Sequence, residues 1–399
     1  MRARELLLII TVITSVACAD TVSTPAATAT DSALMIEEAA TPADTAASPE
    51  DVRVVVDSPV DAGSIEDVSA PDVTVVKDVL VTPDVSVVMD APTVADVPRD
   101  APTDVARDVP PTLREPPPLR AYSRGTCPRL VSGPTNDTGL NTGFRSGSQT
   151  RSFRLIVPRN YDGSSDWPLM FTWHWLNASS SSFVRTGELE TATEQMRFIA
   201  IAPDRLENGG NRAYQFDWPF AEVWGVPGEL TFFDDMLACV SAQFRIDRRK
   251  VYGVGVSAGA LWVTYLSTTD RANYFAAVES LSGGLGDVFG VWRMEYAPQA
   301  NKFPALVLWG GPTDWLGLDF NLASMRYRDA LVRDNHFVVQ CTHSAGHMVP
   351  PIMAPGPGMT RFQFLWQFAL DHPYGTTAAT SPWRTGLPSN APSWCSLAR

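Results

Sequence analysis

Residues 121–399 contain short, almost continuously apolar runs that alternate with amphipathic segments. The runs span residues 152–158, 168–174, 198–203, 251–256, 274–280, 304–309 and 337–341. Because they are apolar at consecutive positions, they predict strands buried on both faces of a mainly parallel sheet. The amphipathic segments predict helices at residues 233–244, 258–268, 320–335 and 361–371. This alternation predicts an α/β fold, with a mostly parallel central sheet and helices on both faces.

The first 19 residues have the layout of an export signal. Arg2 and Arg4 precede an apolar stretch, residues 6–16, that is too short to span a bilayer. The small residues that follow, Ala17-Cys18-Ala19, fit a signal-peptidase site, whereas residues 15–18 resemble a bacterial lipobox with Cys18 as the lipidated first residue. We favour the lipoprotein interpretation, and both interpretations predict an extracellular or cell-surface protein.

Residues 20–120 differ sharply in composition from the rest of the chain. They carry 20 acidic residues, 6 basic residues, 14 prolines and no aromatic residue. Asp recurs every 6 residues from Asp72 to Asp96, in a stretch with almost no Gly for the tight turns of a repeat fold. A segment without aromatic residues cannot easily build a core, and its like charges repel. The composition therefore predicts a disordered, extended acidic linker.

The remaining residues, 121–399, have the composition of one globular domain. They contain all 39 aromatic residues of the chain, and 23 acidic residues balance 23 basic ones. The absence of net charge argues against a nucleic-acid-binding surface. No apolar run reaches the roughly 18 residues of a membrane-spanning helix. We expect a monomer with no nucleic-acid partner and no transmembrane span, apart from the lipid anchor that Cys18 could carry.

Four cysteines remain when Cys18 is set aside: Cys127, Cys239, Cys341 and Cys395. An even number in an exported domain favours two disulfides, for which three pairings exist. We favour Cys239–Cys341 together with Cys127–Cys395, because the second bridge would tie the two ends of the domain together. No Cys-x-x-Cys spacing occurs in the chain, so the cysteines do not predict a metal site.

The segment Gly255-Val256-Ser257-Ala258-Gly259 follows a predicted strand directly and precedes a predicted helix. In this setting a serine sits on a sharp turn that projects its hydroxyl from the sheet, at the amino end of a helix. Small neighbours are needed because the helix passes close to the turn. Ser257 is therefore the candidate nucleophile.

Two later loops, each after a predicted strand, carry a carboxylate and an imidazole. Asp314 would fix the tautomer of a histidine, and Asp319 is its rival. His347 would act as general base and then as general acid, and His343 is its rival. We favour Asp314 and His347, because active residues of such sheets lie on loops at the carboxyl ends of strands.

A serine hydrolase also needs backbone donors for an oxyanion. One donor should be the N–H of Ala258, directly after the nucleophile. The other should come from Trp175 or Leu176, in the loop after an earlier predicted strand.

These motifs resemble those of the secreted esterases in the polyhydroxybutyrate-depolymerase and feruloyl-esterase-like branch of the α/β-hydrolases. The resemblance covers roughly residues 121–399 and rests on segment 154–161, the His174 loop, segments 247–259 and 310–314, and Gly346-His347 with Pro350. It implies ester hydrolysis by a Ser257–Asp314–His347 triad without metal or cofactor, and oxyanion donors at Ala258 and Leu176. Trp175 stands where the family commonly has Gly, and its bulk would narrow the acyl pocket.

Two tryptophans are candidate substrate contacts: Trp262 lies early in the helix after Ser257, and Trp315 lies next to Asp314. The expected partner is an ester substrate, polymeric or plant-derived. The function we favour is an exported serine carboxylic-ester hydrolase. The alternatives are a polyhydroxyalkanoate depolymerase, a feruloyl or acetylxylan esterase, a serine peptidase of the prolyl-oligopeptidase type, and a non-catalytic surface binding module.

Overall fold

The computed structural model describes residues 115–209, 211–214, 216–219, 225–288 and 292–399. The predictions for the export signal, for Cys18 and for most of the linker lie outside the described residues. The last linker residues contact the domain: the carbonyl oxygens of Pro117 and Pro118 accept hydrogen bonds from Arg248 and Tyr274. Contacts with the domain therefore begin before residue 121.

One sheet of nine strands dominates the described residues. The strands are β1 (Leu140–Ser146), β2 (Gln149–Ile156), β3 (Trp167–Trp173), β4 (Ile199–Pro203), β5 (Ile246–Val256), β6 (Ala277–Leu281), β7 (Ala305–Trp309), β8 (Val338–Thr342) and β9 (Cys395–Leu397). Their order across the sheet is β1-β2-β4-β3-β5-β6-β7-β8-β9. The strands from β4 to β8 in that order are parallel, and β1, β2 and β9 pair antiparallel at the edges. The predicted mostly parallel sheet is confirmed.

Helices cover both faces of this sheet. They are α1 (Ser180–Thr186), α2 (Leu189–Met196), α3 (Val226–Gln243), α4 (Ala258–Ser267), α5 (Phe320–Arg333) and α6 (Gln363–Asp371). Helices α3, α4 and α5 pack on one face, and α1, α2 and α6 pack on the other. Neighbouring residues of a strand point to opposite faces, so Val307 enters one core and Leu306 the other. Burial on both sides explains why the central strands are apolar at almost every position.

The disulfides pair differently from the prediction. Cys127 bonds to Cys239 and Cys341 bonds to Cys395, so the predicted bridges Cys239–Cys341 and Cys127–Cys395 are wrong. Cys239 lies on α3 in the core of one face, whereas Cys341 lies on β8 in the core of the other. The sheet separates these two thiols. Cys341 instead stands directly opposite Cys395 in the antiparallel pair β8–β9.

The parallel strands β5, β6, β7 and β8 end level with one another. Val256 pairs with Leu281, Leu281 with Leu308, and Trp309 with Thr342, across three successive strand pairs. Loops that leave these carboxyl ends therefore start at the same edge of the sheet, where ligand sites of such folds are usually built.

Candidate active site

Ser257 forms the turn between β5 and α4. Its φ of 54° and ψ of −115° lie outside the regions that L-residues favour, and its N–H donates to the Leu281 carbonyl at 2.8 Å. A Cβ on Gly255 would lie 2.2 Å from the Gly259 carbonyl oxygen. A Cβ on Gly259 would lie 2.2 Å from the carbonyl oxygen of Trp173 on β3. The glycines are thus required by close backbone approach, and the predicted strand–turn–helix arrangement is present.

His347 connects Ser257 to Asp314. Its Nε2 lies 2.8 Å from Ser257 Oγ, and its Nδ1–H donates to Asp314 Oδ1 at 2.6 Å. The ring of Phe320 stacks on the imidazole with centroids 4.3 Å apart, which restricts its orientation. Because Nδ1 carries the proton in this arrangement, Nε2 has a lone pair for the serine proton. The structure therefore brings together three side chains that are distant in sequence.

Asp314 is fully buried in the loop after β7. Besides its bond to His347, it accepts two hydrogen bonds on Oδ2, from the Gly310 N–H at 2.7 Å and from the Ser282 hydroxyl at 2.8 Å. Burial raises the pKa of Asp314, but the hydrogen bonds, that of His347 foremost, outweigh burial and hold the pKa below its usual value. The carboxylate is therefore ionised at neutral pH beside the imidazole.

The two loops that carry Asp314 and His347 pack backbone against backbone. The Gly346 N–H donates to the Gly310 carbonyl at 3.2 Å, and a Cβ on Gly310 would lie 1.9 Å from the Gly346 carbonyl oxygen. Gly346 has a φ of 68°, which glycine adopts without steric cost. These two glycines allow the imidazole and the carboxylate to approach each other.

The two rival residues have structural contacts instead. Asp319 caps α5, and its Oδ1 accepts the Leu322 N–H at 2.8 Å. His343 accepts the Ala345 N–H on Nδ1 at 3.1 Å and so stabilises its own loop. Neither rival contacts Ser257 among the described residues, so the geometry favours Asp314 and His347.

The loop after β3 lies beside the first turn of α4. A Cβ on Gly259 would lie 2.6 Å from the His174 carbonyl oxygen, so the segment that follows His174 adjoins the turn that carries Ser257. The Ala258 N–H belongs to the first turn of α4, where amides lack intrahelical acceptors. In the described part of the chain, the N–H groups of Trp175 and Leu176 have no backbone acceptor. Their role as oxyanion donors stays a prediction.

Two buried residues that sequence reasoning missed hold this loop in place. Asp217 Oδ2 accepts the Asn177 N–H at 2.6 Å, and the Trp218 indole N–H donates to the His174 carbonyl at 3.0 Å. Burial lowers the pKa of His174 to about 4, so its imidazole is neutral at physiological pH; its Nδ1–H donates to the Trp175 carbonyl at 2.8 Å. No motif marks Asp217 or Trp218, because their role depends on contacts about 40 residues away along the chain.

The two candidate substrate tryptophans lie in different environments. Trp315 is 65% exposed beside Asp314, where a ligand can reach it. Trp262 is 1% exposed and stacks on Tyr265 within the core, with ring centroids 5.7 Å apart. Because its position on α4 faces the sheet, we do not retain Trp262 as a substrate contact.

Across the described ranges, no group of three or more His, Cys, Asp and Glu side chains is arranged to hold a metal ion. In the same ranges, no helix combines the length and the apolar character needed to cross a bilayer.

Solved structures share this architecture. Native sOPH matches with a TM-score of 0.51 at 19% identity, over 70% of this chain and 96% of its own. Native pOPH matches with a TM-score of 0.50 at 18% identity, over 65% of this chain and 94% of its own. At such low identities the likeness concerns the fold alone, and the chain has the α/β-hydrolase fold.

Curated relatives found by sequence are feruloyl esterases. The chain is 27% identical over 168 residues to a probable feruloyl esterase C of Aspergillus terreus, which covers 40% of this chain and 53% of that protein. It is 26% identical over 161 residues to feruloyl esterase D of Neurospora crassa, which covers 40% of this chain and 52% of that protein. The chain thus spans about half the length of the curated relatives it matches. No protein-family model matches it. The predicted resemblance to feruloyl-esterase-like esterases is confirmed by these relatives.

Proposed function

We propose that the protein hydrolyses carboxylic esters with Ser257 as nucleophile, His347 as general base and acid, and Asp314 as the partner of the imidazole. The observation that carries this proposal is the continuous hydrogen-bonded chain from Ser257 Oγ through both ring nitrogens of His347 to the buried Asp314 carboxylate. A serine hydroxyl is a weak nucleophile until an adjacent base accepts its proton. Such a chain supplies that base and orients it.

In the acylation half of the reaction, Ser257 Oγ attacks the ester carbonyl carbon while its proton passes to His347 Nε2. The negative charge that develops on the carbonyl oxygen is bound by the Ala258 N–H and by that of Leu176 or Trp175. Removing one donor of an oxyanion hole typically lowers kcat roughly 100- to 1,000-fold. His347 then returns the proton to the departing alcohol, which leaves an ester of the acid on Ser257.

In the deacylation half, His347 takes a proton from a water molecule that attacks the acyl carbon. The same amides bind the second oxyanion. The bond to Ser257 Oγ breaks, the serine recovers its proton from His347, and the free acid leaves. Asp314 stabilises the imidazolium in both halves without accepting its proton, as its lowered pKa favours.

For the substrate, we propose an ester of an aromatic acid. The names of the curated relatives favour it, and the exposed ring of Trp315 beside Asp314 offers a flat apolar surface. A panel of feruloyl, acetyl-xylan, hydroxybutyrate and short-chain esters tests this choice. Preference for the hydroxybutyrate oligomer over the feruloyl ester would favour the polyester alternative, and preference for amides would favour a peptidase.

The direct test of ester hydrolysis compares the wild-type protein with Ser257→Ala on p-nitrophenyl butyrate. We expect the variant to lose turnover by several orders of magnitude and to lose labelling by a fluorophosphonate probe. Ser164→Ala, which removes an exposed hydroxyl elsewhere, is the matched control and should react like the wild type. Equal turnover by the wild type and Ser257→Ala would end the proposal, as would probe labelling at another residue.

We also infer that the protein works outside the cytoplasm, anchored through Cys18. The two disulfides support an oxidising compartment. Detergent phase partitioning of the full chain, with Cys18→Ala as control, tests the anchor. A wild-type protein that stays in the aqueous phase would contradict it.

A further inference from the structure

Ser282 follows the last residue of β6 and contacts the candidate triad from behind. Its hydroxyl donates to Asp314 Oδ2 at 2.8 Å, and its N–H donates to the Leu308 carbonyl on β7 at 2.6 Å. Both Ser282 and Asp314 are buried. This hydrogen bond is therefore shielded from water, where a donor to a carboxylate has its largest effect.

The backbone of Ser282 is in an unfavourable conformation for a serine. Its φ is 53°, a region that glycine enters freely and that other L-residues enter at a cost in free energy. Glycine would adopt a φ of 53° without steric cost, as Gly284 does at its φ of 117° two residues on. Glycine at position 282 would relieve the backbone but could not donate to Asp314. The side-chain hydroxyl is thus what distinguishes serine from the residue that the backbone favours.

We propose that Ser282 is a positioning residue for the reaction, one that holds the Asp314 carboxylate in the rotation needed by His347. Together with the Gly310 N–H it occupies Oδ2 and leaves Oδ1 to the imidazole. Two donors on one oxygen fix the plane of the carboxylate, and their charge-assisted bonds keep it ionised. The inference rests on the proposed function, since it presupposes that Asp314 acts in ester hydrolysis. Ser282 itself touches no reacting atom.

The test uses two variants that separate the hydroxyl from the backbone. Ser282→Gly removes the hydroxyl and relieves the positive φ, whereas Ser282→Ala removes the hydroxyl and keeps the strained backbone. Both should lower kcat on p-nitrophenyl butyrate by roughly ten- to one-hundredfold, the effect of losing one hydrogen bond to a charged group, with KM unchanged. Both variants should melt below the wild type, because both lose a buried hydrogen bond to a charged group, and the Ala variant below the Gly variant, because only glycine relieves the positive φ.

Two controls separate the relief of a positive φ from the loss of a buried hydroxyl. Asn335→Gly relieves another positive φ, 61°, before the amino end of β8, whereas His347 follows the carboxyl end of that strand. Ser280→Ala removes a buried hydroxyl that bonds to Thr264 instead of to Asp314. Both controls should keep the wild-type kcat.

A Ser282→Gly variant with the wild-type kcat would overturn the positioning role, because the serine would then serve only the turn. Equal activity of Ser257→Ala and the wild type would instead overturn the proposed function itself, so the two failures are distinguishable. A loss of kcat in Ser280→Ala as large as that in Ser282→Gly would also overturn the role. It would show that the rate responds to any buried hydroxyl of this region.

Discussion

Replacing Asp314 with Asn should lock His347 in the wrong tautomer. In the wild type, the Gly310 N–H and the Ser282 hydroxyl both donate to Asp314 Oδ2, at 2.7 Å and 2.8 Å. An asparagine must place its only acceptor, the amide oxygen, toward these two donors, because an NH₂ group there would face hydrogens. Its NH₂ then points toward His347 and donates to Nδ1. The imidazole must carry its proton on Nε2, where it can no longer accept the proton of Ser257.

The size of the effect follows from this forced geometry. In the triad of serine proteases, the same substitution leaves the site intact and lowers kcat by about 10⁴ through the wrong tautomer. A factor of about 10⁴ corresponds to about 5 kcal/mol of lost transition-state stabilisation. We expect a loss of this order here, since two donors hold the amide in the adverse orientation. The loss should appear in kcat, because Asp314 is buried behind His347 and does not reach the substrate.

The assay is steady-state hydrolysis of p-nitrophenyl butyrate, with the melting temperature measured in parallel. Asp319→Asn is the matched control: Asp319 caps α5, and Asn caps helices about as well as Asp. It should keep both the wild-type rate and the wild-type melting temperature. An Asp314→Asn variant that retains more than about a tenth of the wild-type kcat, against the roughly 10⁴ loss expected, would refute the tautomer reasoning.

Three further outcomes are expected. Alanine at both Cys341 and Cys395 should lower the free energy of unfolding in urea by about 4 kcal/mol, because their disulfide closes a loop with a sequence separation of 54; an unchanged midpoint would contradict this. Glu279 is buried in β6 without a partner for either carboxylate oxygen among the described residues, and burial raises its pKa well above the usual 4.5. The folded state therefore binds this proton more tightly than the unfolded chain, so stability should fall as pH rises above about 4.5, and Glu279→Gln should flatten that part of the melting curve against pH; parallel curves would refute the argument. Asp217→Asn should lower kcat/KM about tenfold, because a neutral amide is a weaker acceptor for the Asn177 N–H, which fixes residues 174–177, the loop that carries the predicted oxyanion donors and is here called the oxyanion loop; the wild-type value would show that the loop needs no such anchor.

The central strands could be predicted because burial on both faces leaves a local record in the sequence. Ala305–Trp309 is apolar throughout, and each of its residues is buried on one side or the other. Short helices and edge strands, which are buried on one side at most, leave no such apolar run in the sequence. The helix Ser180–Thr186 has only three buried residues, and the edge strand Leu140–Ser146 contains a register shift between Asn141 and Phe144. Tertiary pairing, more than local preference, decides these elements.

The face of the sheet on which a side chain lies could not be predicted from the sequence. Cys239 and Cys341 are both apolar, buried positions, and only the sheet between them shows that they cannot pair. Trp262 likewise lies close to Ser257 along the helix, but the turn of the helix directs it into the core. Distance along the chain gives no information on such sidedness.

The candidate triad could be proposed from the sequence because each member follows a predicted strand and lies beside glycines, which allow backbone segments to approach closely. Ser282 and Asp217 contact the triad and the oxyanion loop from other segments of the chain. They could not be found from sequence, because a serine or an aspartate in a loop is too common to indicate a role. Their function becomes visible only through the atoms that they contact.

Strained backbone is concentrated around the candidate active site. Positive φ occurs at seven non-glycine residues of the described ranges: Asn177, Glu188, Arg197, Asp217, Ser257, Ser282 and Asn335. Four of them, Asn177, Asp217, Ser257 and Ser282, belong to the nucleophile turn or to the groups that hold the oxyanion loop and Asp314. Such conformations cost free energy and persist only where the surroundings enforce them. Glycine would relieve each backbone, but at Asp217, Ser257 and Ser282 it would remove a side-chain hydrogen bond of the candidate site. Asn177 makes its bond through the backbone N–H instead. Glycine at the first three positions should therefore give a slower protein.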